Sequence, residues 1–224
     1  MNPNIANALL EAFMSIFTGP LIPVIMLALM SPSKRPVRTG AGIAAGAIIV
    51  VAAFVLILLA IFDYSGDSGS GKFGYLVYLV LGIVFLLLGI KTVIKPPKSG
   101  EDEDAAIKKL AKIAEGGLGG LLLVGILGAL VNSDQLVVLV GSVHDIAVSG
   151  VPNSTQLVVA VVVIVIATFL WWIMPISVGL GGESAKRFLA KLNVWLTKNM
   201  RMIEIVVFLV LGVYFLVRGL RGLV

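Results

Sequence analysis

Six long runs of apolar residues dominate the chain, and each is long enough to cross a lipid bilayer as a helix. A transmembrane helix needs about 20 consecutive, mainly apolar residues. The runs are continuous and do not alternate with polar residues, which excludes the pattern of a membrane β-barrel. The pattern therefore predicts six transmembrane helices, over residues 5–30, 40–62, 73–94, 117–143, 155–181 and 199–223.

The composition agrees with a membrane protein and excludes several other classes. Hydrophobic residues make up 59% of the 224 positions and charged residues 13%, against about 45–50% and 25% in average soluble domains. The chain has no Cys and one His, which excludes disulfides and argues against a metal site. It lacks a GxxxxGK[ST] loop and the HExxH and GxSxG motifs. We therefore predict neither an enzyme nor a cofactor.

Basic residues are concentrated on one side of the predicted membrane. The loops after spans 1, 3 and 5 hold 14 of the 17 Lys and Arg residues. Because basic loops stay in the cytoplasm, both termini are predicted to lie outside the plasma membrane. The net charge of +5 then reflects topology, and no nucleic acid is expected as a partner. No Lys or Arg precedes Lys34, so the first run is predicted to be a retained span. Arg218 and Arg221 lie at the outer end and are expected to reach the interface.

The ends of spans 3 and 6 resemble each other, which indicates an internal repeat. Tyr78–Ile94 and Phe208–Val224 are identical at seven of 17 positions without a gap, including two glycines seven residues apart. An odd number of spans inverts the second copy of a repeat. We predict an all-α polytopic membrane protein of two inverted three-helix repeats, residues 1–98 and 117–224, joined by a cytoplasmic linker, residues 99–116.

Two cytoplasmic segments carry apolar residues at helical spacing among basic ones. The first follows the acidic stretch Glu101–Asp104 in the linker, and the second follows span 5. Both are predicted to be short amphipathic helices on the inner leaflet, where anionic lipids attract basic side chains; the alternative is a solvated loop. Their apolar faces are Ile107, Leu110, Ala111 and Ala114 in the first segment, and Phe188, Leu192 and Trp195 in the second.

Clusters of helix-breaking or polar residues interrupt spans 1 and 4, which occupy equivalent places in the two halves. Proline removes an amide donor and frees a carbonyl, and freed backbone is tolerated at membrane depth only where it faces protein or lines a cavity. Paired interruptions of this kind indicate a transporter's binding site. A proline kink in span 1 and a polar helix contact in span 4 are the alternative. The predicted site residues are Thr18, Gly19, Pro20 and Pro23 in span 1, and Asn132, Ser133, Asp134 and Gln135 in span 4.

Three carboxyl groups lie within predicted spans: Glu11 in span 1, Asp134 in span 4 and Glu204 near the inner end of span 6, where it is expected to face the cytoplasmic interface. A buried carboxylate is costly unless it is paired or protonated, so each is a functional candidate. No Lys or Arg is predicted deep in a span, so protonation is expected. Asp134 is the first candidate for a proton relay and Glu11 the second, although Glu11 could instead face water at the interface. His144, next to Asp145 at the outer end of span 4, is expected in a solvated loop, with a pH-sensing role as the alternative.

Span 5 ends in a segment that predicts a change of direction. Pro175 and the glycines at 179, 181 and 182 indicate a kink or an early end of the helix. Of the neighbouring Trp171 and Trp172, one is expected at the membrane interface and the other against a neighbouring helix. A wall for an apolar substrate is the alternative role.

The residues around the interruptions resemble a known family. The stretches Gly19–Pro23, Leu27–Pro32, Leu130–Leu139 and Trp195–Asn199, the last running into the final span, are similar to the LysE-type exporter superfamily. They are most similar to its branch of glycolipid- and sulfolipid-addressing proteins, the GAP or Sap-like family. The resemblance covers nearly the whole chain. Relatives carry Asn-Pro in span 4 where this chain has Asn132 and then Ser, so the resemblance leaves the sharpness of this break open.

The resemblance implies export of an amphipathic lipid or glycolipid of the cell envelope across an actinobacterial plasma membrane. Expected partners are membrane lipids, the lipid or small-molecule substrate, protons and a lipid-biosynthesis complex. One alternative is an exporter of small polar metabolites such as amino acids, which would need more polar residues at the membrane midplane. Another is a membrane assembly factor that transports nothing, in which Glu11 and Asp134 would be dispensable.

Overall fold

The computed structural model describes residues 2–18, 21–31, 33–64, 72–94 and 108–221. Regular structure in these ranges is entirely helical, which confirms the all-α prediction. Among the predicted site residues, Gly19 and Pro20 lie outside the described residues, as does the acidic stretch of the linker. The helices are α1 (Pro3–Ser15), continued by a 3-10 turn (Ile16–Thr18), α2 (Leu21–Met30), α3 (Pro36–Tyr64), α4 (Lys72–Ile94), α5 (residues 108–114), α6 (Gly117–Val131), α7 (Ser133–Ala147), α8 (Asn153–Ala167) and α9 (Phe169–Arg221).

Three of the described helices are long and apolar enough to cross a membrane alone. They are α3 over Pro36–Phe62, α4 over Tyr75–Ile94 and the end of α9 over Arg201–Arg221. Two further spans arise if each bent pair crosses as one unit: α6 with α7, bent by 71°, and α8 with the start of α9, bent by 60°. The described residues therefore support three to five spans, and the six-helix inverted repeat stays a prediction.

The predicted kink after span 5 is present at a single glycine. Gly182 has φ 53° and ψ −132°, inside a segment that is otherwise helical from Phe169 to Arg221. A positive φ of this kind is unfavourable for residues with a Cβ. The helix passes through Pro175 without ending, so the turn in direction depends on Gly182.

Helices α4 and α9 pack antiparallel. They meet at the glycines that match between Tyr78–Ile94 and Phe208–Val224. A Cβ on Gly82 would lie 2.7 Å from Leu216, and a Cβ on Gly212 would lie 2.7 Å from Leu86. In the two matched segments, Gly82 corresponds to Gly212 and Leu86 corresponds to Leu216, so these two contacts are equivalent. Gly89 against Leu209 and Gly219 against Leu79 form a second equivalent pair. The contact between α4 and α9 therefore has local two-fold symmetry, as inversion of spans 3 and 6 requires.

Helices α3 and α6 approach so closely that their backbones touch. A Cβ on Gly46 would overlap the carbonyl oxygen of Leu122, and a Cβ on Gly125 would overlap the carbonyl oxygen of Ile43. Small residues allow such contact, and it is a common basis of helix association in membranes. The pairing places α6 beside the first half of α3 and thereby positions the break at the end of α6.

The two predicted amphipathic segments differ in what covers their apolar side chains. Leu110 and its neighbours Ala111, Ile113 and Ala114 in α5 pack against the core formed by α2, α3, α6 and α9. In the segment after Gly182, Leu189 joins the same core, whereas Phe188 and Trp195 are exposed. The described apolar residues of α5 are therefore covered by the rest of the protein. Of the two segments, the second is the one with exposed aromatic side chains.

We predict that Gly46→Ala and Gly125→Ala each lower the free energy of unfolding by about 1–3 kcal/mol, because the added methyl group meets backbone that cannot rotate away. Denaturation by SDS in mixed micelles would measure the change. Gly119→Ala is the matched control in α6, since a Cβ there has open space around it. Equal losses in all three variants would refute the packing argument.

Candidate functional site

Helix α1 lies antiparallel to α7, and this pairing buries Glu11. Near the start of α1, the Asn2 side chain donates to the carbonyl oxygen of Ser149 at 2.8 Å, and Asn4 donates to that of Val148 at 3.2 Å. Two turns further along α1, Glu11 is fully buried against α7. A Cβ on Gly141 would lie only 2.5 Å from Glu11 Oε2, so the missing side chain of Gly141 provides the space for the carboxyl group.

Arg218, in the last turns of α9, lies between two buried carboxyl groups. Its Nη1 donates to Glu11 Oε1 at 2.5 Å, and its Nη2 donates to Asp145 Oδ1. Glu11 is 0% exposed and Asp145 1%, whereas the Arg218 side chain keeps 18% exposure. The hydroxyl of Tyr214, one turn before Arg218, lies 3.3 Å from both Glu11 Oε1 and Arg218 Nη1. The guanidinium therefore connects α1, α7 and α9 through charge.

Tyr78 brings α4 into the same network. Its hydroxyl group donates to Asp145 Oδ1 at 2.5 Å and lies 3.1 Å from His144 Nδ1. The guanidinium carbon of Arg218 lies 4.2 Å from the centre of the Tyr78 ring, which is close enough for a cation–π interaction. We call Glu11, Tyr78, Asp145, Tyr214 and Arg218 the buried ionic cluster.

One oxygen atom of each carboxyl group in the cluster has no hydrogen-bond donor among the described residues. These atoms are Glu11 Oε2 and Asp145 Oδ2, and both are inaccessible. Arg218 uses one nitrogen for each carboxyl group, so it cannot form a two-bond pair with either. Two carboxyl groups therefore share one cation.

The structure contradicts three expectations about this region. His144 and Asp145 are not in a solvated loop, because they lie in the last turns of α7 with exposures of 7% and 1%. Arg218 turns inward, contrary to the expectation that it would reach the interface. Because it pairs with Glu11, the expectation that no cation would face Glu11 is also wrong. A signal was present in the sequence, since Arg218 is a basic residue in an apolar run and on the side with few positive charges. Such residues usually pair inside the protein.

The predicted break in span 4 is confirmed at Asn132, although no proline follows. Asn132 has φ −80° and ψ 49°, and the two flanking helices make an angle of 71°. Its side chain donates to Gln135 Oε1 at 2.8 Å, and Gln135 Nε2 donates to the carbonyl oxygen of Ala167 at 2.5 Å. Two of the predicted site residues therefore bind protein groups, and Gln135 connects this break to the end of α8.

A second break, in span 5 at Thr168, was not predicted. The flanking helices make an angle of 60° there, and a hydroxyl group bonded to the preceding turn is known to bend helices. Trp171 is fully buried beside Gly128 of α6, as expected for a tryptophan that packs on a neighbouring helix. Side chains bind two carbonyl groups at the end of α8: Val165 is bound by Trp172 at 3.1 Å and Ala167 by Gln135. The Thr168 hydroxyl group donates at 2.7 Å to the Ile164 carbonyl, which also accepts from the Thr168 backbone.

The remaining predicted site residues do not converge on one point. Thr18 is buried and donates to the carbonyl oxygen of Ser15 at 2.8 Å, while Pro23 lies within α2 and its side chain is outside the described residues. Ser133 is exposed at the start of α7, and Asp134 is half-buried with a favourable electrostatic interaction with Lys91.

Glu11 and Asp134 lie at different levels along α7. Glu11 packs against Gly141, seven residues after Asp134, and shares Arg218 with Asp145, eleven residues after it. At 1.5 Å per residue, these separations correspond to about 10 and 16 Å along the helix axis. The sequence-predicted carboxyl groups therefore cannot act as one pair in this conformation.

An apolar groove of about 450 Å³ opens between α3 and the first part of α9. Its α3 wall includes Ala41 and Ala45, and its α9 wall includes Trp172, Ile176 and Leu180. It therefore begins beside the break at Thr168 and extends towards the kink at Gly182. Trp172 lines this groove, and its role as a wall for an apolar substrate stays a prediction.

Comparison with known proteins identifies the family. The family model described as Sap, sulfolipid-1-addressing protein, matches residues 12–221. The chain belongs to this family. The match confirms the resemblance to Sap-like proteins and includes nearly all the residues discussed here. No curated protein and no solved structure shows significant similarity to the chain.

The Sap-family match and the apolar helices together describe a membrane protein whose family is named for addressing a lipid. Among the described residues, no group of three or more His, Asp or Glu side chains could hold a metal ion.

We predict that Arg218→Leu lowers the free energy of unfolding by about 3–5 kcal/mol, because it leaves two buried carboxyl groups without their cation. SDS denaturation in mixed micelles would measure this loss. The control is Arg221→Leu at the exposed last residue of α9, for which we expect a change within about 0.5 kcal/mol. An equally small effect of Arg218→Leu would show that the cluster does not depend on this cation.

Proposed function

We propose that this protein exports an amphipathic lipid or glycolipid of the cell envelope across the plasma membrane, with protons as the coupling ion. The observation that carries the proposal is the apolar groove between α3 and α9, in a chain whose family is described by sulfolipid addressing. A groove that opens sideways and is lined by apolar side chains suits a hydrocarbon chain entering from the bilayer, and it suits amino acids or other small polar solutes poorly.

Charges near the groove favour an anionic headgroup. Lys34, Arg35 and Arg38 are exposed around the start of α3, next to the groove residues Val37 and Ala41. In the proposed orientation these residues are cytoplasmic, where basic side chains near a membrane attract anionic lipids. An acyl chain in the groove would then place its headgroup beside these cations. The exposed Phe188 and Trp195 after the kink provide apolar contact with the same leaflet.

The arrangement of the helices supports transport rather than a passive scaffold. Two bent pairs of helices contain irregular backbone within apolar runs, and inverted repeats with broken helices are typical of secondary transporters. The two-fold contact of α4 with α9 agrees with such an inversion. In this proposal the residues at the break, Asn132 to Gln135, line the path that the headgroup follows.

We expect a strain that lacks this protein to retain a surface lipid in its inner leaflet, measured by comparing inner and outer lipid pools. Wild-type protein should restore the outer pool, whereas Ala45→Phe should reduce the restoration because the ring fills the groove. Ala53→Phe is the matched control, an exposed alanine of the same helix outside the groove. Unchanged lipid pools in the deletion strain would refute lipid export, and a retained polar metabolite would favour the alternative exporter.

The proposed topology places both termini outside the plasma membrane. Because the chain has no Cys, one introduced cysteine reports its own location. We expect Asn2→Cys to react with a membrane-impermeant maleimide in intact cells, and Glu115→Cys, between α5 and α6, to react only after the cells are opened. The reverse pattern would overturn the orientation.

A further inference from the structure

The buried ionic cluster has one more acidic group than it has cations. Glu11 and Asp145 are both buried, and Arg218 is their cation. If both carboxyl groups were ionised, the cluster would carry one uncompensated negative charge inside the protein. Such a charge is costly at low dielectric, and a group in this position normally takes up a proton.

The hydrogen bonds show where a proton has room to bind. Asp145 Oδ1 accepts from Arg218 and, at 2.5 Å, from Tyr78. Glu11 Oε1 accepts from Arg218 at 2.5 Å and has only the longer contact with Tyr214, at 3.3 Å. Short bonds from two donors favour the ionised form of Asp145. The second oxygens of both carboxyl groups lack a donor among the described residues, so the difference between them lies in these bonds; that of Glu11 points at the backbone of α7.

We propose that the cluster is the binding site of the coupling proton, which binds to the carboxyl group of Glu11 while Arg218 remains paired with Asp145. The inference rests on the proposed function in that export is the process that the proton drives. It assigns proton exchange to Glu11, Asp145 and Arg218 at one end of α7, and not to Asp134 at the other end.

The position of the cluster explains how a proton would act on the helices. Glu11 belongs to the first predicted half, whereas Asp145 and Arg218 belong to the second. The bond between Glu11 and Arg218 therefore joins the halves, and the bond between Arg218 and Asp145 does not. Protonation of Glu11 removes the ionic contact between α1 and α9. Deprotonation restores it, so this ionic contact between the halves exists only when the proton has left.

Among the described side chains, few other ionisable groups face Glu11, Asp145 and Arg218. Tyr78 approaches from α4, His144 from α7 and Tyr214 from α9, each within the contacts already described. Helix α8 also packs against α1, and Asn153–Ala167 contains no ionisable side chain. His144 is the one described neighbour that could titrate near neutral pH on its own, so the test must distinguish a carboxyl group from an imidazole.

Infrared difference spectroscopy makes this distinction, because a protonated carboxyl group has a C=O stretching band that an imidazole lacks. We would record spectra of the full-length protein in lipid nanodiscs while the pH is changed, and count protons taken up with a pH indicator. The wild type should show a pH-dependent carboxyl band and take up about one proton per chain at the cluster. Glu11→Gln and Asp145→Asn should each abolish both signals, since either change leaves one carboxylate with one guanidinium.

Two control variants make the test specific. Asp134→Asn and Glu115→Gln, the latter at an exposed position, should retain the band. A band that survives in either Glu11→Gln or Asp145→Asn, or one that Asp134→Asn removes, would overturn the proposal. Should Glu11→Gln fail to fold, Asp145→Asn in α7 tests the proposal by itself, because it removes the same excess negative charge from the cluster.

The experiment requires no transported lipid, so its outcome is independent of lipid export. A cluster band together with unchanged lipid pools in the deletion strain would leave the proton site in place and refute the proposed function. Altered lipid pools without a cluster band would do the reverse. The failure of one proposal can therefore be distinguished from the failure of the other.

Discussion

The pairing of Arg218 with Glu11 and Asp145 constrains the helices around it more than any other interaction in the described structure. Each of the three groups is largely removed from solvent, so none can be left without a partner at small cost. The arrangement determines which face of α1 meets α7 and how far α9 extends beside them. Gly141 is part of the same constraint, because any side chain there would occupy the space of the Glu11 carboxyl group.

Backbone groups freed by the helix breaks impose a second constraint. Unpaired carbonyl groups are expensive in an apolar environment, so a broken span is stable only if other groups bind them. Gln135 has this role at the end of α8, where it donates to the carbonyl oxygen of Ala167, and it also accepts from the side chain of Asn132 at the first break. The two bent pairs are thereby connected by one side chain. A change in either bend would disturb the other, which suits the conformational changes that the proposed transport would require.

The sequence predicted the helical class, the interruption of span 4 and the kink near Gly182, because continuous apolar runs, polar clusters and glycines have local causes. It also predicted that spans 3 and 6 correspond, and their matched glycines indeed form equivalent contacts. It missed the break at Thr168, where the decisive bonds come from other turns and other helices. From the sequence, both Glu11 and Asp134 were expected to lack a cationic partner, although Glu11 is paired with a residue more than 200 positions away.

The sequence by itself determined that this is a helical membrane protein of the Sap family, since hydropathy and local motifs need no knowledge of distant contacts. Only the tertiary structure decided which charged residues form a site. Whether Arg218 reaches the interface or turns inward depends on the packing of α1, α4 and α7 around α9, and no local pattern encodes that choice. The same packing places Asp145 in the core, where the sequence had predicted a loop. A buried cation is stable only where acidic partners surround it, and Asp145 is one of these partners.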